Sequence, residues 1–223
     1  ISILPFIRIH KFHLGNACQL AKIIKKYAIV HVHMRHVYRY VKAVCLLFGV
    51  STKIILHDHY GTIAIDTSVP KFFNSILKPT FYIGVSNTLT SWATNVLHVK
   101  NVFLLPNTVR QQKTVLPTTT ANGWVLVGNI KPLKNQLFAL QLAAKMQQNI
   151  TFIGAVQDEP YYNRLQHEIE KLQWQERVMF MHNVTNVQEL LPQFELALMT
   201  SKSESGPLVL VEYLAQQLPF VSF

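Results

Sequence analysis

The chain has 223 residues, 49% of them apolar, and a formal net charge of +10. That is ample core material for one large domain or two small ones. No run reaches the roughly 18 apolar residues a membrane span needs. The opening ISILPF lacks Met, a basic segment and a cleavage site, so it does not read as a signal peptide. Both ends fall inside a pattern, which reads as a fragment cut at both termini.

Charge is unevenly placed. Residues 1–115 carry 14 Lys/Arg against only Asp58 and Asp66, a balance of +12, whereas 116–223 carry 7 Lys/Arg against 9 Asp/Glu, a balance of −2. Such asymmetry suits an anionic partner for the first half, a membrane surface or a lipid-linked acceptor, and equally a plain solvated basic surface. Nucleic acid is not expected, because the basic half has no aromatic platform and no Arg-dense helix. Cys18 and Cys45 stand among apolar neighbours on predicted helices and read as free core thiols of a reducing compartment.

Short apolar runs alternate with helical stretches, the pattern of an α/β chain with parallel sheets. In the first half, strands are expected at LPFIRI, 28–34, 52–58, 81–86 and 101–106, with helices over 14–27, 36–48, 69–78 and 86–97. Ser86 is the expected cap of the last of these helices. The polar stretch 111–123, with Pro, a Thr run and Gly, reads as a linker between domains at 1–110 and 124–223. The second half shows strands at 124–130, 150–156, 177–183, 195–201 and 219–223, with helices over 135–148, 158–173, near 187–192 and from Pro207. Ligands in such sheets sit beyond the carboxyl ends of the strands.

The stretch SKSESGPLVLVEYLAQQLPFVSF (201–223) carries the most chemistry. Pro207 suits the first helical position. The helix after it is apolar all round and should be buried. Helical side chains lean toward the N-terminus, so Glu212 is expected to point back toward the loop holding Glu204. Two carboxylates then stand near a helix start whose free N–H groups and dipole attract phosphate.

This Glu-x7-Glu pattern before an apolar helix and a Leu-Pro-Phe-Val strand resembles the donor-site motif of retaining glycosyltransferase family 4, the glycosyl transferases group 1. The resemblance implies a GT-B-like fold of two Rossmann-like domains with parallel sheets, both incomplete here. It also implies a glycosyltransferase that moves a sugar from a nucleotide-diphospho-sugar to an acceptor hydroxyl with retention of configuration. In GNIKPLKN (128–135) Gly128 and Lys134 fit the family's diphosphate-binding residues, and Asn129 stands where an Arg is usual. Asn brings no charge and no bidentate fork, and Lys131 would supply part of what is lost. By the same resemblance Pro207, Leu208 and Val209 take phosphate at the helix start, Glu212 binds the ribose, and Glu204 lies on the sugar side. His182-Asn183 falls where the nucleotide base packs, largely by backbone contacts, and His57 in ILHDHYG faces the donor sugar. Glu204 and His57 are thus the residues expected at the reacting centre. VSNTLTSW and LLPNTV resemble the end of the family's first domain, with Thr108 for the usual Gly.

A glycan or lipid-linked acceptor is implied, with no cofactor and no metal ligands assigned. A role in cell-surface polysaccharide or glycolipid synthesis would place the chain in the cytoplasm, or peripherally on the inner face of the membrane. Two other readings stay open. HVHMRH (31–36) with HDH (57–59) resembles a zinc-hydrolase signature, with His31, His33, His36, His57 and His59 as ligands, but Arg35 holds the aspartate position. A non-catalytic sugar-nucleotide-binding protein is the other.

Overall fold

The computed structural model describes residues 13–112 and 123–223. The expected strand LPFIRI lies outside them. The chain divides into two units, Ile1–Pro106 and Asn107–Phe223. Each is a parallel α/β unit of Rossmann-like, GT-B-like character.

In the first unit β1 (Ile29–His33), β2 (Lys53–Asp58), β3 (Phe81–Gly84) and β4 (Asn101–Leu104) pair in chain order, all parallel. The crossovers carry α2 (Arg35–Leu47) and α3 (Asn87–Asn95), and α1 (Leu14–Ile24) precedes β1. Helix α2 buries Arg35, Tyr38, Val41, Val44 and Cys45, one face at helical spacing. Helix α3 begins where extended Ser86 accepts the Leu89 N–H at 3.4 Å. Tyr38, Leu56, Phe73, Tyr82 and Leu89 are fully buried in one core. Each large apolar side chain there contributes about 1.5–3 kcal/mol of burial. Cys45 is buried as expected, whereas Cys18 is only half-buried; both are free thiols.

The helix expected over 69–78 is a series of turns. Phe72 sits at φ 66, outside the right-handed region, so the i to i−4 ladder cannot run through it. The segment still buries Phe73 and Leu77.

In the second unit β5 (Trp124–Val127), β6 (Ile150–Ile153), β7 (Val178–Met181), β8 (Leu196–Met199) and β9 (Phe220–Ser222) form an all-parallel sheet of order β7-β6-β5-β8-β9. Helices α4 (Gln136–Lys145) and α5 (Glu159–Lys171) pack on one face, with Leu126, Leu140, Phe152 and Leu165 between them and the strands. Helix α6 (Leu208–Ala215) belongs to the other face, where Val125, Ile153, Ala197 and Tyr213 form a separate core. Strand β6 is buried at all four positions, which is why it reads as a continuous apolar run. Since α4 follows β5 to one face and α6 follows β8 to the other, the order reverses between β5 and β8. That is the switch point where such sheets bind ligands.

Several expectations change in this unit. The short helix near 187–192 is two 3-10 turns, Val187–Glu189 and Leu191–Gln193, separated by Leu190. Pro207 is the capping residue of α6, with ψ 117, rather than its first helical residue. The helix is not buried all round: Tyr213 is, while Leu208 is 47% and Leu214 64% exposed. Of the expected linker, Gln111 and Gln112 hydrogen-bond to Ala215 and Gln188 of the second unit, and 113–122 lies outside the described residues. No helix among the described residues is long and apolar enough to cross a membrane.

Candidate functional site

Two loops meet at the switch point, the one after β5 and the one after β8. The buried Thr200 hydroxyl donates to the carbonyls of Lys134 (2.8 Å) and Asn135 (3.1 Å). The Lys202 N–H donates to the Leu133 carbonyl at 2.9 Å. Lys134 then closes the pair of loops, its ammonium donating to the Glu204 carboxylate. The Lys134 stem crosses Gly128, where an added Cβ would lie 3.3 Å from its Cδ and Cε. Gly128 and Lys134, from one loop, and Glu204, 70 residues beyond Lys134, therefore form one cluster.

Helix α6 begins beside Glu204 with no side-chain cap, so its first-turn N–H groups, including those of Leu208 and Val209, are the ones a helix leaves without internal partners. The loop entering it is held by Asn107, whose Nδ2 donates to the Gly206 carbonyl at 2.5 Å. On the second turn of α6, the side-chain carboxyl of half-buried Glu212 has no hydrogen-bond partner among the described residues. Burial raises its carboxyl pKa above the usual range. A raised carboxylate without a donor is suited to ligand hydroxyls.

Beyond the ends of β5 and β6 lies a cleft of about 280 Å³ lined by Gly128, Asn129, Gly154, Asn183, Val184 and Val187. Asn129 presents its side to this cleft, and its carbonyl accepts from Gln136 Nε2 at 3.0 Å. The His182 Nδ1 bonds to the Gly154 carbonyl at 2.8 Å, and the cleft is lined by the next residue, Asn183. Gly154 is needed for space: a Cβ there would lie 2.4 Å from the Gly128 carbonyl oxygen. A glycine directly after an apolar strand was the available signal for it.

His57 belongs to the first unit, near the carboxyl end of β2 and 7% exposed, with neither ring nitrogen hydrogen-bonded. Burial, then the neighbouring His59, His33 and His31, lower its pKa to about 4. It is a neutral imidazole at physiological pH. Arg35, which stood in the aspartate position of the zinc-like signature, does not face these rings. Its Nε donates to Asp58 at 2.7 Å, and its guanidinium lies over both Tyr60 and Trp92. Asp58 also accepts from Tyr82 Oη (2.6 Å) and the Tyr60 N–H (3.1 Å). No free carboxylate is thereby left at Asp58 to activate a water, and His36 is on α2, lining a different cavity beside Arg39.

Among known families, the family model described as glycosyl transferases group 1 matches residues 110–223. No curated protein matches the chain in sequence. Solved structures are similar in fold. HepE of Anabaena, in complex with UDP and glucose, gives a TM-score of 0.82 at 13% identity, covering 98% of this chain and 65% of that one. The lipopolysaccharide outer core galactosyltransferase WaaB gives 0.66 at 16% identity, with 97% and 64% covered. TarM of S. aureus, in complex with UDP, fondaparinux and alpha-GlcNAc-glycerol, gives 0.71 at 17% identity, with 93% and 45% covered. The chain spans less than two thirds of the length of each of these three.

Proposed function

Because the chain belongs to the glycosyl transferases group 1, we propose that it moves a sugar from a nucleotide-diphospho-sugar to an acceptor hydroxyl, with the donor bound at the switch point of the second sheet. The observation that carries this reading is the cluster of Gly128, Lys134 and Glu204 beside the uncapped start of α6. A diphosphate there meets one ammonium and a row of free N–H groups. Glu212 accepts from the ribose hydroxyls, and the cleft past Gly128 and Gly154 takes the base. Glu204 is assigned to the sugar side. UDP is the first nucleotide to test, since HepE and TarM bind it.

In this reading the bond between the anomeric carbon and the diphosphate breaks, and the acceptor oxygen bonds that carbon on the same face, with retention as in family 4. The acceptor's proton passes to the departing phosphate oxygen. The protein stabilises the leaving diphosphate and positions the hydroxyl, without a metal or cofactor. Asn129 in place of a cation leaves the phosphates less neutralised, which Lys131 offsets in part. A glycan or lipid-linked acceptor, cell-surface polysaccharide or glycolipid synthesis, and a cytoplasmic place at the inner membrane face complete the proposal. The basic first half supports it.

Titration of the chain with UDP-, GDP- and ADP-sugars, followed by thermal shift, tests the donor site. A ligand at 100 times its dissociation constant adds about 2.7 kcal/mol of stability. One nucleotide should stabilise the chain and fail to stabilise Glu212→Ala; no response to any of the three would sink the reading. Binding without product formation would favour the non-catalytic sugar-nucleotide binder. Sedimentation with anionic vesicles at low salt tests the membrane role, which fails if no chain sediments.

A further inference from the structure

The ends of β1 and β2 gather four histidines. His31 and His33 alternate on β1 and so share one face, and the parallel register sets His33 directly beside His57 on β2. Ring centroids are 4.7 Å apart for His31 and His33, 5.1 Å for His31 and His57, and 4.9 Å for His33 and His57. One ring nitrogen from each of these three residues lies within 4.8 Å of the others. His59 adds a fourth ring, its Nε2 bonded to His33 Nδ1 at 3.0 Å.

Stacked imidazoles of this kind need a reason. His57 is 7% exposed, and both its ring nitrogens are buried without a hydrogen-bond partner. A buried polar group left unpaired is unfavourable and calls for a partner. The nearest carboxylate, Asp58, is committed to Arg35, Tyr82 and the Tyr60 N–H, so no acid relieves it. The same pairing removes the one cation that argued against a second cation here, because Arg35 is neutralised and stacked between Tyr60 and Trp92.

We infer that His31, His33 and His57 form a binding site for a borderline-soft divalent metal ion of the zinc type, with His59 orienting the ring of His33. Imidazole nitrogen suits zinc, copper and nickel, whereas magnesium and calcium want oxygen donors that this cluster lacks. A hydrogen-bonded partner on the far nitrogen of a ligating histidine fixes its tautomer and ring direction, the part His59 plays. The site binds without hydrolysing, since no carboxylate is free to activate a bound water. This departs from the expectation that the chain carries no metal ligands. It stands whether or not the chain transfers sugar, because it is read by metal binding alone.

The test is equilibrium dialysis of the tag-free chain against Zn²⁺, with Co²⁺ as a coloured probe and Mg²⁺ as a control. One Zn²⁺ per chain is expected, Co²⁺ should give visible ligand-field bands, and Mg²⁺ should not bind. His31→Ala and His33→Ala alter exposed side chains, and each removes a ligand, so each should weaken Zn²⁺ binding by at least the roughly 10-fold to 100-fold that loss of an outer-shell partner costs. His167→Ala, on α5 in the other unit, should leave it unchanged. Absence of stoichiometric Zn²⁺ binding, or binding that survives the His31→Ala/His33→Ala double substitution, would overturn the assignment.

Discussion

Lys134 and Glu204 stand 70 residues apart in sequence, yet the lysine ammonium donates directly to the glutamate carboxylate, each side chain 19% exposed. In the proposed site the same ammonium must neutralise a diphosphate, so Glu204 competes with the ligand for it. Lys134→Met should weaken UDP-sugar binding by about 10-fold to 100-fold, the loss of one charge-assisted hydrogen bond of roughly 1.5–3 kcal/mol. Glu204→Gln should tighten UDP itself while lowering turnover, since it frees the ammonium and removes a carboxylate from the sugar side. Calorimetric Kd values for UDP set against turnover check both. Equal losses of UDP affinity in the two variants would show that the pair acts as a strut and not as a competition.

Much of this arrangement is legible in the sequence. The alternation of apolar runs with helical stretches points to both parallel sheets, most plainly at β6, which is buried at all four positions and so has no polar face. Lys134 and Glu204 stand out by motif, but their contact does not, since it depends on Thr200 and Lys202 tying the two loops together. Side-chain direction was less legible. His182 turns to the Gly154 carbonyl, and Arg35 turns from the histidines to Asp58, choices made by hydrogen bonds to neighbouring elements. The exposure of α6 is not legible either, because an all-apolar run says which residues favour burial and not how much surface the sheet offers to cover them. Gln188 and Gln216, buried and bonded to each other at 3.0 Å, carry no local signal at all.

Burial raises the pKa of Glu212 above its ordinary 4.5, and this fixes the sign of a pH effect. A group whose folded pKa is raised contributes stability below its unfolded pKa, and that contribution is lost as pH rises through the folded value. Ligand-free protein should therefore lose stability through this group as pH rises above about 4.5, and Glu212→Gln should abolish that part of the profile. At pH 7 the Gln variant should melt higher than the parent without ligand. Its UDP-sugar affinity should nonetheless fall roughly 10-fold, by loss of a charged hydrogen-bond acceptor. Melting curves from pH 4 to 8, with and without UDP-glucose, check both halves. A Gln variant less stable than the parent at pH 7 would mean that Glu212 is already paired in the free protein.

Gly154 and Gly128 bring two strand ends into contact at the cleft. A Cβ on residue 154 would meet the Gly128 carbonyl oxygen at 2.4 Å and the Asn129 nitrogen at 3.0 Å, both of them backbone atoms that cannot rotate away. Gly154→Ala should cost about 1–3 kcal/mol by overpacking and should displace the Gly128 turn. At Gly128 the atoms met are the Lys134 stem, at 3.3 Å, a flexible neighbour. Gly128→Ala should cost less stability but reposition Lys134. Urea midpoints rank the two for stability, and UDP affinity of the folded protein ranks them for the site. Equal midpoints for Gly154→Ala and the parent would show that the strand ends separate freely.

Tyr213 ties α6 to the sheet at the point where two strands part. The ladder between β5 and β8 ends at Val125 and Ala197, so Val127 has no partner on that side. Its N–H donates instead to the Tyr213 hydroxyl at 3.0 Å, with the ring fully buried between the helix and the strands. Burial also raises the phenol pKa, so the hydroxyl stays protonated throughout the physiological range. The residue next to Val127 is Gly128 and the residue next to Tyr213 is Glu212, so this bond braces the loop proposed to take phosphate against the carboxylate proposed to take ribose. Tyr213→Phe keeps the ring but strands a buried N–H, a loss of about 1–3 kcal/mol. Donor affinity should fall together with stability, whereas Tyr162→Phe, on α5 beside Phe180, should change neither by more than about 0.5 kcal/mol. Denaturation and UDP-sugar titration on the two Phe variants decide it. A Tyr213→Phe protein that loses stability but binds the donor at parental affinity would show that the brace holds the fold and not the site.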